Sequence, residues 1–247
     1  MTHHFDVLPG AEPFISEGGK TGILVSHGFT GTTQSMRPLA EAFANEGYSV
    51  YAPRLKGHGT HYEDMETSTY QDWIASVEEA YAWLSERCDK IFVAGLSMGG
   101  TLALYMAENH PEIRAISLIN AAVEVPDMEG VKELQDVRFL DAIGSDIKKP
   151  GITELAYEKT PVASVKEILS FMDLARKNLS AIHCPTLLFV SPEDHVVPPD
   201  NSRFIYEHIS SKEKDLIEMT DSFHVATLDH DQQRIIDGTL AFFRKYE

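Results

Sequence analysis

Residues 92–101 read FVAGLSMGGT, and the fold turns on them. Within this stretch, Gly95-Leu96-Ser97-Met98-Gly99 has the form G-x-S-x-G. An apolar run, KIFVA, precedes it and a helical pattern, GTLALYMAE, follows. Where a strand turns sharply into a helix, side chains beside the serine would clash with the strand and helix that close on the turn. Such a turn lifts the serine hydroxyl out at the carboxyl end of a sheet. It also sets the next backbone N–H, that of Met98, at a helix N-terminus facing the same space. Glycines that merely let a helix start close to a strand would spell the same motif, so the partners of Ser97 decide the reading.

Around this turn the chain alternates. Short, nearly continuous apolar runs at Thr21–Phe29, Tyr48–Leu55, Lys90–Leu96, Arg114–Asn120, Pro185–Ser191 and Lys214–Met219 predict strands covered on both faces. Helical patterns at Ser35–Asn45, Tyr70–Glu86, Met98–Asn109, Asn201–Ile209 and Asp231–Lys245 lie between them. Together they predict an α/β fold with a mostly parallel, doubly wound sheet. The alternation breaks over residues 121–178, where no strand is expected. KELQDVRFLDAIG (Lys132–Gly144) and ASVKEILSFMDLARKNL (Ala163–Leu179) read as helices there. The segment is too long for a plain crossover. Residues 1–120 and 179–247 are therefore expected to form the core, and 121–178 a cap over one end of the sheet.

Bulk properties exclude several classes. A net charge of −17 over 247 residues argues against a nucleic-acid binder, which must offer cations to phosphates. It equally disfavours electrostatic docking on anionic lipid. Two cysteines, Cys88 and Cys184, make neither a disulfide framework nor a zinc site. The start MTHHFDVLPG has no basic or apolar signal region, and no run approaches the roughly 20 apolar residues of a membrane helix. A cytoplasmic location is expected. Oligomeric state is not legible.

A serine hydroxyl needs a base, and the base needs a carboxylate to hold its tautomer. In a sheet of this type both follow later strands. SPEDHVVPP follows PTLLFV and offers Glu193 and Asp194; TDSFHVATLDHD follows KDLIEM and offers His224 and His230. Asp194 is favoured over Glu193, because HVVPP restarts ordered chain directly after it. His224 is favoured over His230, which falls at the start of the next helix; His195 reads as a neighbour of the acid. The order Ser97, Asp194, His224 is thus available at the expected loops. An oxyanion site needs a second N–H beside that of Met98. In SHGFTGT the flexible Gly28 lets the Phe29 N–H turn inward, and His27 reads as a local hydrogen-bonding residue.

Other histidines invite a metal reading. GHGTHYED places His58, His61, Glu63 and Asp64 close together, but no second cluster completes a ligand set, so no metal is expected. His3 and His4 read as exposed and terminal.

With these residues in hand, the chain resembles the α/β-hydrolase superfamily, and within it the bacterial monoacylglycerol lipases and small carboxylesterases. HGFTGT, MRPLAEAFANEGY, PRLKGHGTHYEDM, DWIASVEEAYAWL, GLSMGGTLALY, ELAYEKTP, SPEDHVVPP and SFHVATLDHDQ carry the resemblance over nearly the whole chain. It implies the α/β-hydrolase fold with a small cap insertion and a lipid ester substrate, a monoacylglycerol cleaved to fatty acid and glycerol. A short-chain carboxylesterase or thioesterase without glycerol preference is the alternative. No cofactor is implied. Glu154 matches a residue that contacts the glycerol moiety in such lipases; Ile143 matches an apolar cap residue near the pocket mouth. The cap is expected to be a small apolar lid that touches lipid transiently. Ser26 departs from the family, where a larger aliphatic residue is common.

Overall fold

The computed structural model describes residues 5–247, so His3 and His4 lie outside the described residues. Its strands are β1 (Phe14–Ser16), β2 (Thr21–Ser26), β3 (Ser49–Ala52), β4 (Lys90–Leu96), β5 (Ile116–Ile119), β6 (Phe139–Asp141), β7 (Lys159–Pro161), β8 (Thr186–Val190) and β9 (Lys214–Glu218). Its α-helices are α1 (Arg37–Asn45), α2 (Tyr62–Met65), α3 (Tyr70–Ser85), α4 (Met98–Asn109), α5 (Val162–Lys177), α6 (Asp200–His208) and α7 (Gln232–Phe243).

All six apolar runs enter one seven-stranded sheet, ordered β1-β3-β2-β4-β5-β8-β9. Every pairing in it is parallel except β1 with β3. β2, β4, β5 and β8 are continuously apolar because both faces are covered; the same expectation for Lys214–Met219 is corrected, because β9 lies at the sheet edge and is only partly buried. On one face Trp73, Val77 and Leu84 of α3 and Leu102 and Met106 of α4 pack with Leu24, Val93 and Leu188. On the other, Leu39 and Phe43 of α1 and Ile235, Ile236 and Phe243 of α7 pack with Ile23, Val25, Phe92 and Phe189. Local signals agree with this packing. Thr69 and Asp72 close a reciprocal capping box at the start of α3, satisfying N–H groups that a helix start leaves open.

From β2 the chain winds outward to β3, and β4, on the other side of β2, starts the run toward β9. That reversal separates the connections leaving the carboxyl ends of β2 and β4, and open α/β sheets bind ligands in such a crevice.

Between β5 and β8 lie a 3₁₀ turn (Pro126–Glu133), the antiparallel pair β6–β7, and α5. The helix expected over Ala163–Leu179 is α5. The helix expected over Lys132–Gly144 is not formed: the 3₁₀ turn ends at Glu133, and Phe139–Asp141 pairs with Lys159–Pro161. Asp136 takes φ 61°, which no helix tolerates, and the apolar side chains that suggested a helical face are split between two elements. The expectation of no strand in this segment is corrected by β6 and β7. Val165, Ile168, Phe171 and Met172 of α5 join the core on the α4 face of the sheet.

Candidate active site

Ser97 links β4 to α4 with φ 56° and ψ −120°, a conformation costly for a residue with a side chain. The glycines around it are required by contact. A Cβ on Gly100 would stand 2.5 Å from that of Ala121, and one on Gly99 would stand 2.7 Å from the His27 carbonyl oxygen. One on Gly95 would run into the backbone of Gly99. The loop after β2 lies against this turn: a Cβ on Gly28 would be 3.2 Å from the Ser97 Cβ and 3.7 Å from its Oγ. Phe29 follows directly, and Thr30 takes a positive φ of 60° as the chain turns. Met98 opens α4, where first-turn N–H groups have no acceptor within the helix.

His224 Nδ1 stands 2.7 Å from Asp194 Oδ2, and both side chains are buried. The other carboxylate oxygen of Asp194 accepts the N–H groups of Val196 and Val197, each at 2.8 Å. Donation from Nδ1 to this carboxylate leaves Nε2 unprotonated in the neutral ring. Burial pushes the His224 pKa down, but the charge and hydrogen bond of Asp194, helped by Glu154 and Asp146, outweigh it and hold the pKa above its ordinary value. Glu193 takes no part; it pairs with Lys148 at 3.0 Å. His195 pairs with Asp146, and the His230 backbone N–H caps onto Asp229.

Ser97, His224, Phe29 and Met98 line one cavity of about 220 Å³. Val125, Met128, Val131, Leu140, Val165, Ile168 and Met172 give it an apolar wall, all from the segment between β5 and β8. Glu154 lines it too, beside Gly31, where a Cβ would stand 2.6 Å from Glu154 Oε1. Burial raises the Glu154 pKa, opposed by His224 and a hydrogen bond from Ser35. Ile143 lines the same cavity while 67% exposed, which sets it at the mouth.

His27, His58 and His61 have structural partners. His27 Nδ1 donates to the Gly28 carbonyl at 2.9 Å and Nε2 accepts the Leu55 N–H at 3.2 Å, so the ring ties the Phe29 loop to the chain after β3. Burial lowers its pKa to about 4. His58 Nδ1 bonds the Lys56 carbonyl, His61 caps α2, Asp64 bonds Thr60, and Glu63 pairs with Arg138. No group of three potential ligands among the described residues could hold a metal ion. Ser26 is fully buried, and its hydroxyl has no hydrogen-bond partner among the described residues.

Two residues that sequence reading passed over belong to this site. Asn120, at the end of β5 with φ 44°, donates to the His224 carbonyl at 2.8 Å and accepts the Ser191 N–H at 2.8 Å. Asp146 accepts the backbone N–H of His224 at 3.0 Å. Asn120 ends a predicted strand, which was its one visible signal; Asp146 sits in a loop with none.

A family model described as serine aminopeptidase, S33, matches residues 19–149 and 146–231. This chain belongs to that family of the α/β-hydrolase superfamily. The hydrolase is 57% identical to the thermostable monoacylglycerol lipase of Bacillus sp. (strain H-257), over 100% of this chain and 99% of that protein. It is 27% identical to a carboxylesterase of Bacillus subtilis (strain 168), over 96% and 97% of the two chains. Among solved structures, one of a pair of metagenome-derived lipolytic enzymes superimposes on the hydrolase with a TM-score of 0.95 at 50% identity, covering 97% of this chain and 100% of that one. No helix among the described residues of the hydrolase is long and apolar enough to cross a membrane.

Proposed function

We propose that this hydrolase cleaves monoacylglycerols to a fatty acid and glycerol through an acyl-enzyme on Ser97. One observation carries the reading: Ser97, His224 and the half-buried Glu154 face a single cavity whose remaining wall is largely apolar. The full-length likeness to a protein named a monoacylglycerol lipase supports it.

In this reading His224 Nε2 takes the Ser97 proton as Oγ attacks the acyl carbon. The Phe29 and Met98 N–H groups stabilise the tetrahedral oxyanion, and His224 then protonates the departing glycerol oxygen. Water, activated by the same imidazole, cleaves the acyl-enzyme. Asp194 holds the Nδ1–H tautomer and stabilises the imidazolium. No metal or organic cofactor is used. The acyl chain lies along Val125, Met128, Ile168 and Met172. Glu154 accepts hydrogen bonds from glycerol hydroxyls at the polar end. Residues 121–178 act as the cap, with Ile143 at its mouth touching a lipid surface transiently. The free thiols Cys88 and Cys184 are in keeping with a cytoplasmic location.

The carboxylesterase relative favours a second reading, an esterase indifferent to glycerol. The test compares kcat/KM for a monoacylglycerol and for the methyl ester of the same acid, in the wild type and in Glu154→Ala. The wild type should prefer the glyceryl ester, and the variant should lose that preference on the order of 10-fold, the scale of a hydrogen bond to a charged group. Equal rates for both esters in the wild type would establish the second reading.

A further inference from the structure

Asp146 lies in the loop between β6 and β7, far in sequence from the residues it holds. Its Oδ2 accepts the backbone N–H of His224 at 3.0 Å and that of His195 at 3.1 Å. Its Oδ1 stands 2.8 Å from His195 Nδ1, and its own carbonyl accepts the Val225 N–H at 3.1 Å. One carboxylate thus bonds the residue that carries the imidazole and the residue immediately after Asp194. Its side chain is only 13% exposed and borders the cavity.

The attachment continues along the chain. The N–H groups of Lys148 and Lys149 donate to Asp229 at 2.6 and 2.9 Å, and Asp229 also accepts the Phe223 N–H at 3.0 Å. Residues 146–149 are therefore fastened on both sides of His224. Ile143 and Gly144, immediately before, line the cavity.

We propose that Asp146 is a positioning residue for the reaction: from the segment over the sheet, it sets the spacing of the His224 and Asp194 loops and links the pocket mouth at Ile143 to the base. The inference rests on the roles given above to Ser97, Asp194 and His224. Its physical basis is that a backbone N–H near a buried imidazole needs an acceptor, and a charged acceptor makes the stronger bond. Without it the His224 loop is free to settle elsewhere, and small misplacements of a reacting group are costly. The carboxylate charge also faces His224, together with those of Asp194 and Glu154, and all three favour its protonated form.

The experiment measures kcat, KM and the pH profile of kcat/KM on a short-chain p-nitrophenyl ester for Asp146→Ala and Asp146→Asn, with thermal unfolding alongside. His224→Ala serves as the control for the underlying mechanism. Asp146→Ala should lower kcat on the order of 10- to 100-fold with KM little changed. Asp146→Asn, which keeps an acceptor oxygen, should recover most of kcat but shift the acidic limb to lower pH, because a negative charge facing His224 is gone. A purely structural residue would not move that limb. Wild-type kcat in Asp146→Ala, or an unmoved limb in a folded Asp146→Asn, would overturn the inference while leaving the mechanism standing. Activity retained by His224→Ala would instead overturn the mechanism beneath it.

Discussion

The backbone of Gly99 lies against the carbonyl oxygen of Ser26, so closely that no side-chain carbon fits between them. This contact joins the turn bearing Ser97 to the end of β2, from which the Phe29 loop departs. The spacing between the serine and the loop facing it is thus set by backbone against backbone.

Gly99→Ala is therefore expected to destabilise the fold and to lower activity together. Both Ser26 and His27 oppose the new methyl with backbone atoms, which cannot swing away as a side-chain tip could. Overpacking of this kind costs about 1–3 kcal/mol. A denaturant titration of the variant, with ester turnover measured in parallel, checks both losses; a variant as stable as the wild type would show that the turn can widen.

The pH dependence of turnover follows from His224. Its neutral form is the base, and its pKa is raised from the ordinary 6.5. Activity should therefore be full at alkaline pH and fall as pH drops through a midpoint above 6.5. Asp194→Asn should move that midpoint down and reduce kcat by roughly 10⁴-fold, the loss found when a serine hydrolase gives up this carboxylate. A wild-type profile flat from about pH 5 to 8 would exclude an imidazole of ordinary or raised pKa as the base.

Stability should respond to acid through a different pair of histidines. His27 and His58 are buried, and burial holds both below 6.5. Unfolded, each binds a proton near the ordinary value; folded, His27 does so only near pH 4. Its contribution is fully present above about pH 6.5 and is lost as pH falls toward 4, by on the order of 3 kcal/mol for His27. The raised pKa of His224 acts in the opposite sense, contributing stability below pH 6.5 that is lost as pH rises through its folded value. Urea midpoints from pH 7 to 5 for the wild type and His27→Gln separate the two. The variant should show the shallower loss on acidification, and an unchanged slope would mean that His27 is not held neutral.

How much of this was legible before the fold was known depended on how far each residue acts along the chain. The strands that lead to Ser97 and Asp194, β4 and β8, are buried on both faces, and burial writes itself as a continuous apolar run; β9, which leads to His224, is a partly exposed edge strand and was legible from its β-branched and apolar residues alone. β1 was missed because it is three residues long and lies at the sheet edge, paired on one side only. Lys132–Gly144 was misread because its few apolar residues serve a 3₁₀ turn and a hairpin strand in succession. The motifs around Ser97, His224 and Phe29 each stand beside their own strand. Asp146 and Asn120 act instead on backbone groups 78 and 104 residues away, and such partners leave no periodicity to read. Glu154 was visible only through family resemblance; its close approach to Gly31 arises from tertiary packing.

Acylation of Ser97 can be read out by covalent labelling. The enzyme is treated with a fluorophosphonate and its peptides are mapped by mass spectrometry. A serine made nucleophilic by an adjacent base reacts where ordinary hydroxyls do not. One adduct is expected, on the peptide containing Ser97, and none in Ser97→Ala. An adduct on another serine, or one that persists in Ser97→Ala, would contradict acylation of Ser97.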